Sequence, residues 1–238
     1  MRVLAVETST LTGAVALLTG DTVVAEWRLS IAVTHSERLL SAVDHLLTAA
    51  GLGLSDIDAL AVAVGPGSFT GLRIGVSTMK SLAFATGKPL VAVPTLDALA
   101  WSLPFAAYPV CPILDAKKGE VYTALYRTEA GRLERLWEYR ALAPERLAEA
   151  LVEEVRGPVV FLGDGVAPFA QVLRGVLGGD ARLAPPGQRL PSAIAVADLA
   201  RGALERGETA DPASLVPIYI RRSEAELGPE RQRVGHSH

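Results

Sequence analysis

The sequence predicts an α/β protein made of two similar halves. Three observations carry this expectation. The first half reads as three strands, a helix, a strand and a helix, and the second half repeats that order. Each half opens on a strand that ends at an acid, Glu7 and then Asp115. Each half also passes from a strand into a helix through glycine, at Gly65 and at Gly163. Residue identity between the halves is poor, so the expected duplication of a βββαβα unit rests on the order of elements.

In the first half, Val3–Glu7, Ala14–Leu18 and Thr22–Arg28 have strand character, with turn signals at Thr12-Gly13 and Gly20-Asp21. Ser36–Ala50 has the spacing of an amphipathic helix, its stripe formed by Leu39, Leu40, Val43, Leu46, Leu47 and Ala50. A short apolar strand, Leu60–Val64, then stops at Gly65-Pro66-Gly67. Ser68 and Thr70 are placed to cap a helix that starts near Gly71 and runs over Leu72–Thr86. Leu90–Val93 closes the half as a strand.

The second half offers strands at Val110–Leu114, Glu120–Arg127 and Arg132–Arg140. A helix over Pro144–Val155 has proline in its first turn, where the missing amide costs nothing. The strand Pro158–Leu162 ends at Gly163-Asp164-Gly165, and a helix is expected over Pro168–Val176. A last helix, about Ser192–Arg206, follows a proline-rich stretch, and a polar tail ends the chain. The expected division is an N-terminal lobe over 1–104, a C-terminal lobe over 105–190, and a helix with tail over 191–238.

Composition narrows the function classes. The net charge is −3, which offers no strong pull on nucleic acid. The single cysteine, Cys111, rules out a disulfide framework and a thiolate metal cluster. No apolar run approaches a membrane span, and the chain enters a strand at once instead of showing a signal-peptide pattern, so the expected location is the cytoplasm. Neither HExxH nor a P-loop is present, and no serine sits in a GxSxG elbow.

Two regions remain as candidate sites. The Leu72–Thr86 helix has only Arg73 and Lys80 as charges, whereas a surface helix ordinarily gives one charged face to water. Something must therefore cover its outer side. Ser77, Ser81 and Ala85 recur every four residues and would let another helix approach closely, with Met79 and Leu82 shared between the sheet and a partner. Arg38, Ala42, His45 and Ala49 form a second stripe on the preceding helix. The alternative is that both helices are buried within the chain. The same patch would also suit a homodimer.

The second region groups Glu7, Thr8, Ser9 and Thr10 with Asp115, Lys117, Gly163 and Asp164 as a candidate nucleotide or phosphate site, vestigial in character. Gly65, Pro66, Gly67, Ser68, Thr70, Gly71 and Arg73 form a loop that either cradles an anion or simply turns a strand into a capped helix, and the turn is the simpler account. Arg73 would neutralise a phosphate, meet a partner carboxylate, or form an ordinary surface ion pair.

Five segments carry a family resemblance. They are LAVETST at Leu4–Thr10, HSERLL at His35–Leu40, GPGSFTGLRIG at Gly65–Gly75, DAKKGEVY at Asp115–Tyr122 and PIYIRRSEAE at Pro217–Glu226. The chain resembles the TsaB (YeaZ) family of the sugar kinase, Hsp70 and actin superfamily over nearly its whole length. The resemblance implies a duplicated, two-lobed actin-like fold. It also implies an accessory role in making threonylcarbamoyladenosine beside the tRNA anticodon, with no catalysis of its own. The implied partners are TsaD, through the first two helices, the ATPase TsaE and tRNA, with a homodimer when the protein is isolated. The implied chain holds no metal or cofactor itself, and ATP or ADP would enter at an interface with partners. TsaD relatives hold a metal through a histidine pair spaced HxxxH. Here HSERL puts Leu39 at the second position, and His45 lies on another side of the helix. The rival expectation is a divergent actin-like small-molecule kinase or ATPase using Glu7 and Asp115 around magnesium.

Overall fold

In the computed structural model, which describes residues 1–30, 35–129 and 131–220, two five-stranded arrays share one order. Side chains 29–38 lie outside that description, and so does the proposed stripe position of Arg38. The tail reading for 221–238 lies outside it as well.

The first sheet is built from β1 (Arg2–Glu7), β2 (Thr12–Thr19), β3 (Thr22–Ser30), β4 (Ala59–Ala63) and β5 (Leu90–Val93), in the order β3-β2-β1-β4-β5. The strands β1, β4 and β5 are parallel, while β2 and β3 return as antiparallel neighbours. All five residues of β4 are buried, as a central parallel strand covered on both faces requires. Helices α1 (His35–Ala49) and α2 (Phe69–Thr86) cover one face through Leu4, Val6, Leu60 and Val62.

The second sheet repeats the pattern with β6 (Val110–Asp115), β7 (Val121–Thr123), β10 (Arg140–Leu142), β11 (Val159–Leu162) and β12 (Ala181–Leu183), ordered β10-β7-β6-β11-β12. A ribbon of β8 (Tyr126–Glu129) and β9 (Arg132–Arg135) branches from β6. Helices α4 (Pro144–Glu154) and α5 (Val166–Leu177) cover its outer face.

Between the sheets lie α3 (Thr95–Trp101) and α6 (Ala193–Glu205). The alanine-rich α6 approaches the first sheet closely, packing on Val3, Ala5 and Ala61. Leu96 and Leu99 of α3 pack on Val110, Leu114 and Leu162 of the second sheet. The two helices are joined by Trp101, whose Nε1–H donates to Asp198 at 2.8 Å. The repeated unit is therefore βββαβαβα, one strand and one helix longer than the sequence reading.

Several boundaries differ from expectation. Glu120–Arg127 is two strands, because β6 pairs with β7 along one stretch and with β8 at Val110. Arg132–Arg140 is likewise split into β9 and the start of β10. α5 begins at Val166, directly after its glycine, and α2 begins at Phe69. Leu40, placed on the buried stripe of α1, is 52% exposed, whereas Leu39, Val43, Leu46 and Leu47 are buried.

After α6 the chain returns to the first lobe as a strap. The Ala210 amide donates to the carbonyl of Leu90, and the Ile218 amide donates to that of Val64 at 2.7 Å. Leu215 and Ile218 join the core beneath α1 and α2. Among the described residues, no helix is long and apolar enough to cross a membrane.

Candidate functional site

The glycine loop is seated on the first hairpin. Gly67, Gly71 and Gly75 recur every four residues and face Thr8 and Ser9. A Cβ at Gly67 would fall 2.4 Å from the Ser9 carbonyl, and one at Gly71 would fall 2.0 Å from the Thr8 carbonyl. The Ser68 amide donates to the Ser9 carbonyl at 2.6 Å, and the Thr8 hydroxyl donates to the Gly71 carbonyl at 2.8 Å. Ser68 is the cap, its Oγ accepting from the Gly71 amide at 3.3 Å. Thr70, the other proposed cap, stands exposed within the first turn of α2. The carbonyls that this loop meets leave its glycines occupied by protein backbone.

Glu7 ends β1 in full burial. One carboxyl oxygen accepts the Ser9 amide at 2.7 Å, and the other, Oε2, has no partner. Burial pushes the group up to about 7, and the nearby Asp164 charge adds to that shift. On the opposite wall, Asp164 accepts the Asp115 amide at 2.9 Å, and its carboxyl is raised, chiefly by burial. Asp115 in turn accepts the Lys117 amide at 2.8 Å and pairs with its ammonium at 2.7 Å. Gly163 adopts φ +109°, and a Cβ there would fall 2.0 Å from the Ile113 carbonyl.

A cleft of about 290 Å³ separates these walls, lined by Ser9, Thr10, Ser68, Asp115, Lys117 and Asp164. Among its lining residues the one ammonium, Lys117, is already paired with Asp115, so a triphosphate would meet no unengaged cation from this lining. Glu7 is turned back onto its own hairpin. Among the described residues no group of three or more side chains could hold a metal ion. Cys111 is buried, with its thiol pushed up to about 12 by desolvation, and so is a poor nucleophile.

The outer face of α2 is different in kind. Ser77, Ser81 and Ala85 are exposed beside Phe84, which is 64% exposed. The Ser81 hydroxyl donates to the Ser77 carbonyl at 2.9 Å, so its one donor is used on its own helix. Met79 does not belong to this face. It is fully buried, because it shares the sheet-facing stripe with Leu72, Val76 and Ala83 at helical spacing. Leu82 is partly buried against the same core.

The helix's few charges are also accounted for. Lys80 reaches away to the strap, donating to the carbonyls of Ala213 and Leu215 at 3.3 and 2.9 Å. Arg73 is exposed and stacks on Phe69, 5.3 Å from the ring centre. On α1, Ala49 and His45 are exposed and Ala42 is half-buried, with the His45 ring leaning on Trp27 at 5.1 Å.

Sequence reasoning passed over Phe69 and Phe84. The available signal was two aromatics on a helix whose neighbouring positions are small, since Phe84 lies three residues beyond Ser81 and seven beyond Ser77.

A Bacillus subtilis (strain 168) protein described as tRNA threonylcarbamoyladenosine biosynthesis protein TsaB is 37% identical over 226 residues, covering 95% of this chain and 96% of that protein. The chain belongs to the TsaB family. The Escherichia coli (strain K12) TsaB is 31% identical over 230 residues, covering 94% of this chain and 96% of that one. Among solved structures, YeaZ from Pseudomonas aeruginosa superposes with a TM-score of 0.80 at 32% identity, over 92% of this chain and 99% of its own. A family model described as "TsaD: tRNA N6-adenosine threonylcarbamoyltransferase" matches residues 30–228 of the chain. The ethanolamine utilization protein EutJ from Carboxydothermus hydrogenoformans, at 16% identity and a TM-score of 0.53 over 83% of this chain and 89% of its own, is alike in fold alone. The fold of this chain is the two-lobed actin-like one.

Proposed function

We propose that this chain is the non-catalytic partner of a TsaD-type transferase in the threonylcarbamoylation of the tRNA adenosine next to the anticodon. The observation that carries this reading is the outer face of α2, which presents Ser77, Ser81, Phe84 and Ala85 to solvent, with Arg73 one turn before Ser77 as the helix's exposed charge. Exposed faces of this kind mark protein contacts. The names of the TsaB relatives supply the process in which the contact is used.

On this reading the chain works in the cytoplasm, stabilises the transferase and helps to form a surface for the ATPase TsaE and for tRNA. Alone, it pairs with a second copy through the same face. It holds no nucleotide in its own cleft, where Lys117 is spent on Asp115, and ATP or ADP enters at an interface with partners. The rival reading, an actin-like small-molecule kinase or ATPase, needs Glu7 and Asp115 free to face magnesium, whereas Glu7 accepts the Ser9 amide and Asp115 is paired with Lys117.

The test is a reconstitution with purified TsaD-type transferase, TsaE and the enzyme that makes the threonylcarbamoyl-adenylate. Transfer to tRNA should depend on this chain, and the chain alone should hydrolyse no ATP. Ser81→Arg should abolish pairing and transfer, while Glu7→Ala should matter less. Magnesium-dependent ATP turnover by the chain alone, with no effect on transfer, would sink the proposal.

A further inference from the structure

A groove between the N-terminal half of α2 and the strap lies beside the proposed docking face. It encloses about 320 Å³ and includes Phe69, Arg73, Ser77, Leu215, Val216 and Tyr219 in its lining. Its base is anchored. Leu215 and Ile218 sit in the core, and Lys80 holds the carbonyls of Ala213 and Leu215. A Cβ on Gly65 would fall 2.8 Å from the Ile218 carbonyl, so the glycine loop and strap touch backbone to backbone.

The walls mix apolar side chains with the polar Arg73, Ser77 and Lys80, and they open to solvent. Phe69 is 42% exposed, Tyr219 45% and Val216 67%, with the two rings 5.2 Å apart. Arg73 stands at the rim, stacked on Phe69, and among the described residues its guanidinium meets no carboxylate. A guanidinium covered on one side by a ring, and free on its edge, is suited to a carboxylate from outside.

We infer that this groove is the second half of the docking face. A segment of the TsaD-type partner enters it, placing one apolar side chain between Val216 and Tyr219 and one carboxylate against Arg73. The inference rests on the docking reading of α2, with which the groove is continuous through Ser77. An apolar anchor in a pocket beside a desolvated charge pair is a common way for a small contact to dominate an interface. The strap is thus a recognition element as well as a brace.

The experiment measures the Kd of the full chain for the purified transferase with Val216→Asp, Arg73→Glu and Arg73→Lys, and with Ser81→Arg as the marker for α2. Both altered side chains are exposed, so unfolding curves should match the wild type. Val216→Asp and Arg73→Glu should each weaken binding about tenfold or more, and Arg73→Lys clearly less than Arg73→Glu. If neither change moves Kd while Ser81→Arg abolishes binding, the groove inference fails and the α2 reading stands. If Ser81→Arg also leaves Kd unchanged, the docking reading itself falls and takes the inference with it. If the groove variants alter only self-association, the occupant is a second copy and the inference is overturned.

Discussion

Glu7 keeps a carboxyl group out of water with only one of its oxygens engaged, on the Ser9 amide. Its ordinary value of 4.5 rises to about 7 because burial disfavours the charge. The folded chain therefore holds this proton in a range where the unfolded chain has released it. Stability from this group is complete below about pH 4.5 and is lost as pH climbs toward 7. Glu7→Gln keeps an acceptor for Ser9 and removes the titration. At pH 8 the variant should be more stable than the wild type by roughly 3 kcal/mol, with little difference below pH 5. Urea unfolding at both values checks this, and equal slopes of stability against pH in the two proteins would refute it. Asp164, also raised, should leave a residual dependence of the same sign in both. The acid at the end of β1 was legible in the sequence. Its burial was not, since that comes from the loop Gly65–Gly67 folding over the hairpin from far along the chain. The four-residue glycine spacing was equally visible, but not the Thr8 and Ser9 backbone that requires it.

At the scale of an element, α2 shows what periodicity can and cannot do. Its lack of charge singled it out, and the exposed serines follow from their spacing. Met79 was misplaced because an apolar helix offers two faces with almost the same pattern, and only the position of the sheet separates them. Leu40 on α1 is the converse case. The helix α3 escaped notice because seven residues are too few to display a stripe. The strap was invisible for another reason: it has no regular structure of its own. What defines it is the pair of bonds that Lys80 gives its carbonyls and the bond from the Ile218 amide. Lys80→Ala should cost about 1–2 kcal/mol and speed amide exchange at Ile218 while sparing the second lobe. Unchanged protection at Ile218 would show that its side chain alone holds the strap.

For the molecule as a whole, the duplicated order of strands was readable because each copy carries the same punctuation of acid, glycine and helix. The ownership of α6 was not readable. The expected division set it apart with the tail over 191–238, but its alanines are cut to the inner face of the first sheet, where Val3, Ala5 and Ala61 are fully buried. A chain ended at Leu190 should therefore lose the first lobe and aggregate through that uncovered face. Gel filtration of the soluble fraction would test this, and a monodisperse, folded product would refute it.

The same crossing sets an order of events during synthesis. On the ribosome β1 emerges first, yet the lobe that it centres stays open until α6 and the strap have left the exit tunnel. At about 5–20 residues per second that delay is on the order of ten to forty seconds. The second lobe, translated later, has all its own strands and outer helices at hand sooner. The half of the protein made first is thus the half finished last, and α2 gains its brace only after the second lobe has been made.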